Sequence, residues 1–198
     1  MTDPQTPDTV GATPTAQRTK MRVFIVTALI ALTFDIVSKA LVVANIAPTD
    51  KSIRILWGGI YILQARNSGA AFSVGTGATV MLTAISIIVV IVIVRVARRL
   101  TSTPWAVSLG LVLGGALGNL VDRIFRAPSP GKGHVVDWIS VFADNGDRYP
   151  IFNLADSSIV VGGAIAVLLS LRGVDFHGGR NPMEAEDADD SDQSAADA

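Results

Sequence analysis

Four long apolar runs, parted by polar segments rich in Gly, Pro and charge, set the pattern of this chain. Residues 23–47 are apolar except for Asp35 and Lys39. Residues 75–94 carry no charge and end almost entirely in Ile and Val. Residues 104–121 are again uncharged, and residues 149–171 hold Asp156 as their only charge. Roughly 20 apolar residues cross a bilayer as a helix. The pattern therefore predicts an all-α polytopic membrane protein with four transmembrane helices.

The intervening segments read differently. Residues 49–66 alternate or are β-rich, with Gly58-Gly59 between Ser52-Ile53-Arg54-Ile55-Leu56-Trp57 and Ile60-Tyr61-Ile62-Leu63-Gln64-Ala65. This predicts a short hairpin. Exposed sheet edges are not tolerated in hydrocarbon, so the hairpin belongs at the membrane surface. Residues 135–142 fit a short amphipathic helix or a strand at that surface. Gly110, Gly114 and Gly118 recur every fourth residue and read as a smooth face for helix packing, as do Ser158, Gly162 and Ala166. Residues 1–20 lack periodicity and read as a disordered tail. The membrane unit is assigned to residues 21–174, and an acidic, disordered tail to 175–198.

Composition agrees with the pattern. Of 198 residues, 49% are hydrophobic and 17% charged, against roughly 25% charged in soluble domains. The absence of cysteine excludes disulfides, a thiol nucleophile and Cys-based metal sites, and two histidines exclude a His-rich zinc site. No basic, aromatic-interleaved patch points to nucleic acid. Arg18, Lys20 and Arg22, then Arg95, Arg98 and Arg99, then Arg172 and Arg180 fall on one side of a four-span chain. That side is read as cytoplasmic, with both termini on it. The other side also carries basic residues, so the even span count and the clustering of polar motifs support the topology as much as charge does.

The chemistry gathers at the end opposite those arginines. Asp35 and Lys39 stand at i and i+4 and can pair, either to lower the burial cost or to support a polar site. Asn119, Asp122 and Arg123 share one side of a helical turn; Asp122 and Arg123 fit an interfacial anchor or a part of that site. Asp137 follows His134-Val135-Val136, and Asp156 follows Phe152-Asn153-Leu154-Ala155. Taken singly, Asp137 fits a surface cap or turn, and Asp156 a helix N-terminal residue favoured by the helix dipole. Taken together, two carboxylates at the mouths of apolar segments suggest a dyad. Two close carboxyl groups cannot easily both ionise, so one acts as base on a water while the other donates a proton to a carbonyl oxygen. No Gly-x-Ser-x-Gly elbow or His-Glu-x-x-His motif offers another route. A proton-coupled transporter would spread its carboxylates through the bilayer depth; here they cluster at one end. A non-enzymatic assembly protein would use the glycine faces but leaves the two aspartates unexplained.

These blocks resemble bacterial lipoprotein signal peptidase, the signal peptidase II family. The resemblance covers residues 23–171. It rests on Asp35 with Lys39, Arg66-Asn67-Ser68-Gly69-Ala70-Ala71-Phe72, Gly114-Gly115-Ala116-Leu117-Gly118-Asn119-Leu120-Val121-Asp122-Arg123, Val135-Val136-Asp137, and Phe152-Asn153-Leu154-Ala155-Asp156. It implies an aspartic endopeptidase that cuts prolipoproteins before a diacylglyceryl-modified cysteine. The implied catalytic pair is Asp137 and Asp156; the implied support and substrate-holding residues are Asp35, Lys39, Asn67, Asn119, Asp122, Arg123 and Asn153. It implies no cofactor, a β-cradle at residues 49–66, a short extracytoplasmic helix near residues 135–142, and inhibition by the cyclic peptide globomycin. Loops 127–133 and 143–148 look longer than the family pattern.

Overall fold

The computed structural model of the chain describes residues 14–69 and 76–176. Four helices carry the fold: α1 (Pro14–Asn45), α2 (Thr76–Ala97), α3 (Thr103–Phe125) and α4 (Leu154–Leu171). Each is long and apolar enough to cross a membrane. A three-stranded antiparallel sheet sits beside them, built from β1 (Ile53–Ile55), β2 (Ile60–Asn67) and β3 (Val135–Val141) in that order.

Helix α3 is the axis. Its glycines take the close approaches that a helix needs where no hydrophobic effect drives packing in lipid. A Cβ on Gly110 would lie 2.8 Å from the Phe24 carbonyl oxygen, and one on Gly114 would lie 2.6 Å from that of Ala28. Both neighbours belong to α1, so the glycine stripe is a packing face as its spacing predicts. On the α4 side, Ser108 Oγ donates to the Gly162 carbonyl at 2.8 Å. The apolar core at the far end joins Phe24, Ala28, Ile93, Ala97, Leu100, Ala106 and Leu113.

The expected hairpin forms, with a 3-10 turn at Leu56–Gly58. Three further expectations are corrected. Residues 135–142 hold strand β3 rather than a short helix, because their β-branched and aromatic residues pair with β2 from Ile60↔Val141 to Asn67↔Val135. Helix α1 starts at Pro14, inside the segment assigned to a tail. A proline suits a first helical turn, and Gln17 Nε2 anchors the extension on the Arg98 carbonyl at 2.8 Å. Helix α4 starts at Leu154 rather than at residue 149. Residues 149–153 instead lead in past Pro150, and Phe152 bridges Ile139 of β3. Residues 1–13 and 177–198 of the assigned tails, and Ala70, Ala71 and Phe72 of the motif after β2, lie outside the described residues. At the junction with the second tail, Trp105 Nε1 donates to the Val174 carbonyl at 2.9 Å.

Candidate active site

Strand β3 is flanked on both sides, and this brings the predicted residues together. Along one edge it pairs with β2, which ends in Asn67. On the other, Trp138 and Ile139 N–H both reach the Phe152 carbonyl, at 3.0 and 2.8 Å, and Phe152 N–H returns to Ile139 at 3.0 Å. Asn153 follows at once. Asp137, on β3 between these two neighbours, is thus held from both: Asn67 Nδ2 donates to Oδ2 at 2.9 Å and Asn153 Nδ2 to Oδ1 at 2.6 Å. It is a buried strand residue, not a surface cap or turn.

Asp156 is half-buried and has two duties. Asn153 caps α4 by accepting the Asp156 N–H at 3.0 Å, while Asp156 Oδ2 accepts the Asn153 N–H at 3.2 Å. This reciprocal capping box fixes the carboxylate at the helix N-terminus, where the dipole favours negative charge. Its Oδ1 accepts from Asn119 Nδ2 at 2.7 Å. Asn119 Oδ1 in turn accepts from Asn153 Nδ2 at 3.2 Å and Lys39 Nζ at 3.1 Å. Asn153 therefore links both carboxylates: it bonds Asp137 and caps Asp156.

Beneath this layer lies a buried charge network. Lys39 Nζ is 2.7 Å from Asp35 Oδ2 and 3.1 Å from Asp122 Oδ2. Asp35 Oδ1 accepts the Ala155 N–H at 2.9 Å, an unsatisfied donor of the first α4 turn. Asp122 Oδ2 accepts the Val136 N–H at 3.1 Å, so α3 grips β3 one residue before Asp137. The pair Asp35–Lys39 thus lowers a burial cost and also fastens α1 to α3 and α4. Asp122 and Arg123 are buried parts of the site, not an interfacial anchor. Arg123 is close enough for its charge to act on Asp137, Asp156 and Asp122. Its Nη1 is buried with no hydrogen-bond partner among the described residues. All nine sequence-derived site residues therefore meet at one end of the bundle.

Two contributors escaped the sequence reading. Arg126 pairs through Nε with Asp122, a partnership visible as i,i+4 spacing but overshadowed by Arg123. Gly118 looked like packing alone, yet a Cβ there would collide with Asp35 Oδ2.

Electrostatically, Asp137 is pushed up to about 6 from the usual carboxylate value, first by burial and then by the negative charge of Asp156. The bonds from Asn67 and Asn153 and the charge of Lys39 oppose this only in part. A carboxyl raised in this way beside a second carboxyl keeps a proton in the site up to about pH 6, which suits acid–base work on a water and a carbonyl. No group of three or more His, Cys, Asp or Glu among the described residues forms a metal-binding cluster.

Comparison with known proteins gives one answer. The family model for signal peptidase (SPase) II matches residues 27–172. The chain is 48% identical over 157 residues to a lipoprotein signal peptidase of Mycobacterium leprae, covering 79% of this chain and 75% of that protein. It is 47% identical over 167 residues to that of Streptomyces coelicolor, covering 83% and 79%. A solved bacterial membrane enzyme, determined by the in meso method at 1.9 Å, superposes with a TM-score of 0.66 at 30% identity, covering 75% of this chain and 92% of that one. A four-helix membrane fold with paired carboxylates at one end, and a family match spanning every site residue, make this chain a member of the signal peptidase II family of proteases.

Proposed function

We propose that Asp137 and Asp156 are the catalytic dyad and that the enzyme removes signal peptides from bacterial prolipoproteins, cutting before a diacylglyceryl-modified cysteine. The single observation that carries the dyad is Asn153, whose side chain bonds Asp137 and caps the helix turn that holds Asp156. The relatives named lipoprotein signal peptidase support the substrate class.

The reaction needs water as nucleophile. The ionised carboxylate takes a proton from the water as its oxygen bonds to the scissile carbonyl carbon, and the neutral carboxyl donates its proton to the carbonyl oxygen. Collapse of the tetrahedral intermediate breaks the C–N bond: the newly protonated carboxyl gives its proton to the leaving nitrogen, and a hydroxyl of the intermediate returns a proton to the other carboxylate as the product carboxyl forms. The products are the carboxyl end of the signal peptide and the amino group of the lipidated cysteine. The titration belongs to the pair, so neither residue owns the proton. Asn67, Asn119 and Asn153 orient the carboxylates; Asp35, Lys39 and Asp122 hold the elements that carry them. Arg123, with a buried donor that has no partner among the described residues, holds the substrate backbone. The substrate's lipid confines it to the bilayer and supplies much of the positioning.

Both termini face the cytoplasm of the bacterial plasma membrane, and the site lies near the extracytoplasmic face. The arginines at residues 95, 98 and 99 between α2 and α3 support this orientation. Residues 21–174 suffice for catalysis, and a globomycin-type cyclic peptide inhibits by occupying the site.

The test is cleavage of a diacylglyceryl-modified prolipoprotein peptide by the purified protein. Asp137→Asn and Asp156→Asn should each lose activity by on the order of 10⁴-fold while remaining folded. A near-normal rate in either variant would remove that aspartate from the dyad. No cleavage by the wild type would overturn the substrate assignment.

A further inference from the structure

An open pocket lies at the same end of the bundle as the carboxylates. It encloses about 580 Å³ and is lined by Arg66, Phe125, Arg126, Ala127, Pro128 and His134. None of the nine site residues lines it, and it has no carboxylate in its wall. We propose that it binds the phosphate of an anionic phospholipid headgroup. The proposal is independent of the peptidase reading and concerns a different ligand.

One charge in this pocket, that of Arg66, is built in and has no carboxylate partner among the described residues. Turning the Gln64 amide so that its nitrogen faces the Ile46 carbonyl gives it partners on both sides: the nitrogen then donates to that carbonyl at 2.5 Å, and the oxygen accepts from Arg66 Nε at 3.0 Å and Nη2 at 2.8 Å. A neutral amide thus fixes the guanidinium without cancelling its charge, and among the described residues no carboxylate pairs with Arg66. Arg126 uses Nε on Asp122. Asp122 also meets Lys39, and Lys39 meets Asp35, so these two cations face two carboxylates and Arg66 is the pocket's uncompensated charge. Fixed guanidinium groups of this kind favour phosphate oxygens.

The pocket's lip identifies the amphipathic form of that ligand. Phe125, the last residue of the membrane-spanning α3, is 79% exposed beside the two arginines. Pro128 adds a second apolar surface. A lipid can place its phosphate on Arg66 and Arg126 and its glycerol and acyl carbons along Phe125. Free phosphate would use only the first half of the site.

The test uses the full chain in phosphatidylcholine, titrated with dioleoyl phosphatidylglycerol, with retained lipid read by native mass spectrometry and unfolding temperature read in parallel. The wild type should retain phosphatidylglycerol over phosphatidylcholine. Arg66→Gln should bind it about tenfold more weakly, the loss of a charge-assisted contact. Arg66→Lys, which keeps the charge but not the fork held by Gln64, should lose less. Arg95→Gln with Arg98→Gln, at the other end of the bundle, should bind like wild type. Should Arg66→Gln not fold, His134→Gln and Arg66→Lys carry the comparison, and wild-type retention in both overturns the site. Loss of binding only in the Arg95, Arg98 variant also overturns it. Equal protection by inorganic phosphate alone, abolished by the Arg66 variants, keeps the phosphate chemistry but overturns the lipid. Protection by a water-soluble acidic peptide and not by phosphatidylglycerol overturns it as well.

Discussion

Helices α2 and α3 are nearly equal in length and both cross the membrane, yet they do opposite things with their side chains. Half of the apolar window of α3 is buried inside the molecule, against 17% of that of α2. Helix α3 packs its glycines on α1, meets α4 on another face, and ends in Asn119, Asp122 and Arg123. Helix α2 turns Ile85, Ile88, Ile91 and Val92 outward. The lipid asks only that these residues be apolar, whereas the neighbours of α3 fix each residue's size and polarity. Sensitivity to substitution should therefore track the number of elements a residue ties together, not its hydrophobicity.

The largest expected effect outside the proposed dyad is at Lys39. Among the described residues it is the one cation within salt-bridge distance of Asp35, and it also serves Asp122 and Asn119. Lys39→Met leaves two buried carboxylates short of a partner and should destabilise by about 3–5 kcal/mol. Asp35→Asn combined with Lys39→Met should recover part of that loss, because the buried charge itself is gone. Thermal unfolding of the three proteins in one detergent checks this. An additive double variant would mean that the pair is not coupled.

Next comes Gly118. An added methyl has to displace Asp35 Oδ2, and with it the grip on the first turn of α4. Gly118→Ala should destabilise by about 1–3 kcal/mol. It should also slow cleavage by roughly 10²-fold, since a displacement near 1 Å in a positioned site has that effect. A variant destabilised but fully active would confine Gly118 to packing.

Gly118 also marks how far the sequence could be read. The four spans, the hairpin and the gathering of nine polar residues at one end follow from hydropathy, turn chemistry and the motif blocks. What could not be read lies where one residue serves two elements. The periodicity of Gly118 announces helix packing, and only the fold reveals that its partner there is a carboxylate. The residues of β3 are too few for a period to separate helix from strand; pairing with β2 and Phe152 decides. Asp156 read alone is either a cap residue or a catalytic one. The capping box shows that the first reading does not exclude the second, because the geometry that caps the helix also holds the carboxylate beside Asn119.

Asp137 supplies the next effect, with a defined sign. Its folded value near 6 exceeds its ordinary 3.8. The folded state therefore holds the proton more tightly than the unfolded chain, and this contribution to stability is complete below about pH 4. It is lost as pH rises through 6, leaving a penalty of about 3 kcal/mol at neutral pH. Asp137→Asn removes the penalty but turns one amide N–H toward another donor, so a net gain of about 1–2 kcal/mol at pH 7 is expected. The gain should vanish by pH 4. For catalysis, kcat/KM should fall on the alkaline side with an apparent pKa near 6, where the dyad loses its shared proton. A flat profile from pH 5 to 8, or a destabilised Asp137→Asn at pH 7, contradicts this account.

The smallest effects belong to α2, and there the comparison can be made within one helix. Ile88 is 60% exposed toward lipid, so Ile88→Leu should shift stability by less than about 0.5 kcal/mol and leave cleavage unchanged. Thr83, just over one turn earlier, is buried, and its single Oγ1–H is shared between the Gly131 carbonyl at 3.0 Å in the loop before β3 and the Thr79 carbonyl at 2.8 Å. Thr83→Val keeps the shape and removes the donor, leaving the Gly131 carbonyl without that bond. It should cost about 1 kcal/mol, and any change in cleavage should come through the loop that leads to Asp137. If both substitutions are silent, α2 is only a lipid-facing wall and its link to the site is nil. If Ile88→Leu proves as harmful as Thr83→Val, lipid-facing shape matters as much as internal contact, and the division between α2 and α3 fails.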